Sequence, residues 1–174
     1  MSSENGRQKD WFDWAESFVA DWKVRDREWH ESLSPGAEQV LELAAQAAHS
    51  MEHDAVGAEH LLAGMLKLNS DHSALVLRRA GLTLTLLRKE IESERGISAP
   101  KKVKQLITFT PRCRGIIQRA RAKIRSLGNV RVEVGDLLLE LLAEKDGLPA
   151  QIFRRRAIDI EAIKSAVTRK AREQ

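Results

Sequence analysis

Leu33-Ser34-Pro35-Gly36-Ala37-Glu38-Gln39-Val40-Leu41 returns later in the chain as Phe109-Thr110-Pro111-Arg112-Cys113-Arg114-Gly115-Ile116-Ile117, at an offset of 76 residues. Outward from this pair the offset holds without a gap almost to the C-terminus. Ala44 falls on Ala120, Val56 on Val132, Leu61-Leu62 on Leu137-Leu138 and Met65-Leu66 on Leu141-Leu142; further on, Leu82, Leu84, Leu87 and Ile91 meet Ile158, Ile160, Ile163 and Val167. The apolar positions recur while most polar ones differ, which is what remains when two copies of one fold keep their core and change their surfaces.

Each copy opens with a hydroxyl residue ahead of proline, an N-cap followed by a residue whose missing N–H costs nothing at the first helical position. In the first copy Glu38 is placed to answer the cap, and Ala37, Val40, Leu41, Ala44, Ala45 and Ala48 share one face, which predicts a helix over residues 35–50. Further helices are expected over about residues 57–68 and 73–80, with Gly81 as a stop, and from after Thr83 to Gly96. The second copy follows the same plan, with Thr110 as cap, Gly128 as stop, a break at Gly147-Leu148-Pro149 and Asp159 capping the last helix. The longer segments hold too few β-branched and aromatic residues for a sheet. The fold class is therefore all-α: two pseudo-symmetric four-helix repeats, residues 33–96 and 108–174, joined by a Gly-, Pro- and Lys-containing linker at 97–107. Each repeat of roughly 65 residues is near the lower limit for an independent core, so the two should pack as one domain.

Residues 1–32 have no counterpart later. All four tryptophans lie here, and Trp11, Trp14, Phe18, Trp22 and Trp29 fall on one helical stripe, with Asp10, Asp13, Glu16 and Asp21 off it. An amphipathic helix over about residues 9–30 is expected. Aromatic surface of this size seldom stays in water, so it either folds back on the repeats or docks on a partner through Trp11, Trp14, Phe18 and Trp22. The acidic polar face argues against a membrane surface.

Residues 1–96 hold 11 Lys or Arg against 17 Asp or Glu, and residues 97–174 hold 18 against 8, so the halves should attract each other and the second should suit an acidic or phosphorylated partner. No apolar run approaches the ~18 residues of a membrane-spanning helix. The polar N-terminus lacks the apolar centre of a secretory signal, and a single cysteine, Cys113, excludes an internal disulfide, so a cytoplasmic protein is expected with Cys113 as a small core residue.

The chain resembles the double Clp N-terminal repeat, the helical module at the front of Clp unfoldases such as ClpA and ClpC. The resemblance rests on Ser34-Pro35 and Thr110-Pro111, on Val56-Gly57-Ala58-Glu59-His60-Leu61-Leu62-Ala63-Gly64-Met65-Leu66, which is close to the family's V-G-T-E-H-[IL]-L-[LA]-G-[LM] signature, and on Ala80-Gly81-Leu82. It covers about residues 33–168. No G-x-x-x-x-G-K-[ST] phosphate loop occurs among these 174 residues, so the ATP-driven motor of the unfoldases is not expected in this chain. The resemblance implies a non-enzymatic protein-binding module, an adaptor or regulator of a Clp chaperone or protease, with Clp components, adaptors or substrate polypeptides as partners and no cofactor. It also implies a phosphoarginine-type site. Ser34 and Glu59 would serve in the first copy; Thr110 would serve in the second, with Asp136 or Glu133 standing in, because Gly135 occupies the position of Glu59. A helix N-terminus with a hydroxyl can receive phosphate while a carboxylate accepts from guanidinium.

Two other constellations compete. His49-Ser50-Met51-Glu52-His53 matches the H-x-x-E-H zinc pattern, but it falls at a helix end without a third ligand, so no metal site is expected. Nucleic-acid binding is the alternative from another class, carried by Arg112, Arg114, Arg119, Arg121, Lys123, Arg125 and Arg131 with the basic clusters at 154–156 and 169–172. Against it, that half has only Phe109 and Phe153 for base stacking.

Overall fold

Ser34 and Thr110 do what their positions require. The Ser34 hydroxyl accepts from the Ala37 N–H at 3.2 Å and the Thr110 hydroxyl from the Cys113 N–H at 3.2 Å, each starting a sixteen-residue helix behind a proline. The computed structural model describes residues 26–95 and 108–172. In chain order these form α1 (Arg27–Ser32), α2 (Pro35–Ser50), β1 (Ala55–Val56), α3 (Ala58–Lys67), α4 (His72–Arg79), α5 (Leu84–Arg95), β2 (Thr108–Phe109), α6 (Pro111–Ser126), α7 (Val134–Leu142), α8 (Leu148–Arg155) and α9 (Ile160–Arg172). The repeats are thus α2 to α5 and α6 to α9. Gly81 and Gly128 both adopt positive φ, 92° and 75°, where a side chain would be strained, and they end α4 and α6 as expected. Asp159 caps α9 through the Ala162 N–H at 2.9 Å.

The two copies share one core. α3 packs on α6, α7 and α8; α7 packs on α2 and α4; α5 meets α8 where α9 meets α4, so each contact between copies has a partner related by the offset. Leu41, Leu61, Leu62 and Met65 of the first copy and Ile116 and Phe153 of the second are fully buried in one continuous apolar cluster. Near the periphery of this seam Glu90 receives both Arg155 (3.1 Å) and Arg156, and Glu94 receives Arg155 at 2.8 Å.

One feature departs from a purely helical plan. β1 and β2 pair in parallel, Val56 with Phe109, and Leu33 bridges Val132 in the same sense. The two pairings are the same pairing twice, since Leu33 corresponds to Phe109 and Val56 to Val132. Each copy therefore lays the residues before its first helix along the loop before the second helix of the other copy.

The expected stripe residues Trp11, Trp14, Phe18 and Trp22 lie outside the described residues, as does the linker. Within them, Trp29 on α1 is only 5% exposed, its ring 5.7 Å from that of Phe109 and capped by the Arg114 guanidinium at 5.1 Å. This part of the segment folds back on the repeats. No helix among the described residues is long and apolar enough to cross a membrane.

Candidate functional site

The exchanged strands bring the first turn of α3 against the first turn of α6. The Thr110 N–H donates to the Val56 carbonyl at 2.9 Å, which fixes the cap of α6 beside the residues that lead into α3. Glu59, on the first turn of α3, folds its carboxylate back over Gly57: a β-carbon on Gly57 would lie 2.7 Å from the carboxylate carbon, so only glycine leaves the carboxylate where it is. Glu59 Oε1 is also 3.8 Å from Nδ1 of His60. The result is a cleft of about 570 Å³ on the seam, lined by Gly57, Glu59 and Glu94 from the first copy and by Thr110, Arg112 and Gln151 from the second. Arg112 is held at its rim by Glu144 (2.9 Å) and the Asp146 carbonyl (2.6 Å).

This cleft offers both signs of charge. Pro111 has no N–H, and those of Cys113 and Arg114 are taken by the side chain and carbonyl of Thr110, which leaves the Arg112 N–H and the Thr110 hydroxyl proton to meet an anion. Glu59 and Glu94 can accept from a guanidinium or an ammonium group.

Sequence reading paired the candidates within each copy, Ser34 with Glu59 and Thr110 with Asp136. The structure pairs Thr110 with Glu59 across the copies, because the strands exchange. Ser34 is 4% exposed and donates its N–H to the Val132 carbonyl at 3.0 Å, so it faces the second copy's loop. Gly36, two residues on, lies against Val134 of that copy: a β-carbon on Gly36 would come 3.3 Å from Val134 Cγ2. Gly135 stands where a carboxylate would be needed. Asp136 is turned elsewhere. Its Oδ2 accepts from the Glu133 N–H at 2.8 Å, capping α7, and burial raises its pKa. His60 has the matching role in the first copy, its Nδ1 accepting from the Gly57 N–H at 2.9 Å. Glu94 and Gln151 were missed as site residues and Arg112 was read only as part of a basic, nucleic-acid-type face, since only the exchange brings the three together.

The zinc-like pattern does not form a helical pair of ligands. α2 ends at Ser50, Glu52 has φ of 58°, and His53 turns so that its Nδ1 lies 2.6 Å from Nε2 of His60. No cluster of three metal-binding side chains occurs among the described residues. The arginine face of α6 is largely committed within the molecule. Arg119 pairs with Glu140 and Glu144, Lys123 with Glu140 at 3.8 Å, Arg121 with Glu28 at 3.6 Å and Arg114 with Asp26 at 3.7 Å.

Cys113 is fully buried, and burial, with the Glu59 charge adding to it, pushes its thiol pKa up to about 12. Thiolate is the reactive form, so at pH 8 the folded protein should react with a disulfide reagent at least ~100-fold more slowly than the denatured chain. Following the release of the coloured thiolate with and without denaturant checks this; equal rates would mean that Cys113 is open to solvent.

Comparison with known proteins agrees with this architecture. The profile of the Clp repeat (R) N-terminal domain matches residues 32–155. The negative regulator of genetic competence ClpC/MecB of Bacillus subtilis is 29% identical over 131 residues, 75% of this chain and 16% of that protein. The chloroplastic chaperone protein ClpC of Pisum sativum is 30% identical over 139 residues, 80% of this chain and 15% of that protein. The chain thus spans about a sixth of the curated relatives it matches. Among solved structures, the N-terminal domain of ClpD from Arabidopsis thaliana superposes with a TM-score of 0.69 at 16% identity, covering 82% of this chain and 96% of that one. The Hsp104 N-terminal domain from Candida albicans gives 0.67 at 14% identity, covering 83% and 94%. These two likenesses are of fold.

Proposed function

Because the chain belongs to the Clp repeat N-terminal domain family, we propose that it works as a non-catalytic protein-binding module, an adaptor or regulator that brings polypeptides to a Clp ATPase or keeps them from it. The observation that carries this reading is the cleft on the seam, which Glu59 and Thr110 from different copies both line. A phosphorylated arginine suits it, with phosphate at the Thr110 hydroxyl and Arg112 N–H and guanidinium at Glu59. The proposed setting is the cytoplasm, with Clp components, adaptors or substrates as partners.

A second surface on the same seam supports polypeptide binding. Between α4 and α9 runs a groove of about 560 Å³ with Val76, Ile163 and Ala166 on its floor and Arg79, Arg169 and Lys170 on its rim. At the offset-related contact of α5 with α8, Glu90 and Glu94 stand in the places of Ala166 and Lys170, and they pair with Arg155 and Arg156. In the groove the acids are replaced by alanine and lysine, so like charges line an apolar floor and an acidic amphipathic segment complements it. Trp11, Trp14, Phe18 and Trp22, which lie outside the described residues, are proposed as a further partner-binding element.

Affinity capture from lysate tests the reading, using the whole chain, the Glu59→Lys variant and a form lacking residues 1–25, which spares the buried Trp29. Clp ATPase subunits, adaptors or degradation substrates should be recovered with the whole chain. Glu59→Lys should reduce their recovery by about tenfold, the effect of losing one charge-assisted contact and gaining a repulsive one. Recovery of none of them in any form would contradict the proposal.

A further inference from the structure

We propose that Lys67 and Arg78, at the end of the first copy, form an anion site suited to a phosphate monoester or inorganic phosphate dianion. The site is separate from the Glu59–Thr110 cleft and does not rest on the adaptor reading. Lys67 ends α3 and Arg78 lies in the last turn of α4; with Leu66, Asn69, Thr83 and Leu84 they line a cleft of about 350 Å³ that contains no acidic residue. Nε and Nη2 of Arg78 are buried and have no acceptor among the described residues. Although Arg78 as a residue is half-buried, buried guanidinium N–H groups without an acceptor are unfavourable, so these two donors call for one. Burial, and then the charge of Arg88, lower the pKa of Lys67, so its surroundings supply positive charge and no compensating carboxylate. Arg88 itself reaches Ser50 Oγ at 3.5 Å.

The second copy shows how the same corner looks when it is closed internally. Arg154, the counterpart of Arg78, donates to the Lys145 carbonyl at 2.9 Å. Asp159, the counterpart of Thr83, brings a carboxylate that caps α9. Ala143 replaces Lys67, so one cation is gone. In the first copy the cap is the neutral Thr83, whose hydroxyl accepts from the Leu86 N–H at 3.2 Å and whose carbonyl accepts from that of Leu87 at 2.9 Å, so the Leu84 and Thr85 amides are the ones left in the first turn of α5. Two cations, the Asn69 amide and those N–H groups then surround a space that no side-chain carboxylate fills. A dianion with several acceptor oxygens matches that set better than a single carboxylate, because each positive group can take its own oxygen.

Amide chemical shifts followed by NMR test the site, with inorganic phosphate added at constant ionic strength and, in a second arm, a phosphoserine peptide beside its unphosphorylated form. The Leu84 and Thr85 amides should shift saturably, with Kd on the order of 1 mM for inorganic phosphate. Arg78→Gln and Lys67→Gln should each weaken binding about fivefold or more, since each removes a charged donor. Thr83→Asp, which imports the second copy's carboxylate, should abolish the response while the dispersed spectrum shows the fold intact. Tighter binding of the phosphopeptide than of phosphate and of the plain peptide would assign the ligand to a modified side chain; equal affinity for the two phosphates would assign it to the free anion. Shifts that stay linear to high phosphate concentration, or undiminished binding in a folded Thr83→Asp variant, overturn the proposal.

Discussion

Replacing Phe153 by alanine is expected to lower the unfolding free energy by about 3 to 5 kcal/mol, and to do so in a single transition shared by both copies. Phe153 is 2% exposed and heads the set of large, fully buried side chains. It belongs to α8 of the second copy, yet α8 packs on α3 and α5 of the first. Its ring therefore fills space on the seam, and its loss opens a cavity that neither repeat can close alone. Against a typical domain stability of about 5–15 kcal/mol this is a large fraction. For a chain of this size it should lower Tm by roughly 6–20 °C. Calorimetry gives the magnitude, and hydrogen exchange gives its distribution. Protection should fall in α3 as well as in α7 and α8. A variant that loses protection only in the second copy would show that the repeats unfold separately.

Gly64→Ala should be the second large effect, through too much volume instead of too little. A β-carbon at Gly64 would run into the Val40 carbonyl and lie 2.9 Å from the Ala44 nitrogen, both backbone atoms of α2. Backbone cannot rotate aside as a side chain can, so α2 and α3 must move apart. Overpacking of this kind costs about 1–3 kcal/mol and sometimes more. The displacement would also move Glu59, which α3 carries into the seam cleft. The offset partner of Gly64 is Glu140, which lies on the α6–α7 surface and pairs with Arg119 and Lys123. Glu140 already carries a β-carbon in the corresponding place, and Glu140→Ala keeps it and removes only the atoms beyond, so that change should alter stability by less than about 1 kcal/mol. Denaturant unfolding of the two variants makes the comparison. Equal, small losses would mean that the close approach of α2 and α3 is not required.

Much of this fold is legible in the residues because it is written locally and written twice. Ser34 and Thr110 announce helix starts, Gly81 and Gly128 announce stops, and the apolar faces of α2 and α6 follow from spacing. The site is less legible, for a physical reason. Its two halves are set by an exchange of short parallel strands, Val56 with Phe109 and Leu33 with Val132, and such pairings between distant segments have no local signature. Reading each copy alone therefore assigned Glu59 to Ser34, although it shares a cleft with Thr110. Asp136 is ambiguous in another way. A carboxylate three residues past a helix start serves equally well as a ligand or as a cap, and here it caps. The basic stretch of α6 suggested a phosphate-binding face, but partners on α7 and α1 answer most of it.

That the seam between the copies recognises polypeptides is tested most directly by a photo-crosslinking residue placed at Gln151, which lines the cleft and is exposed, with Arg125 at the far end of α6 as the control position. Irradiation in cells should give adducts with Clp subunits, adaptors or their substrates from position 151 and not from 125, and Glu59→Lys should remove them. Adducts absent from 151, or equal from both positions and indifferent to Glu59, would contradict it.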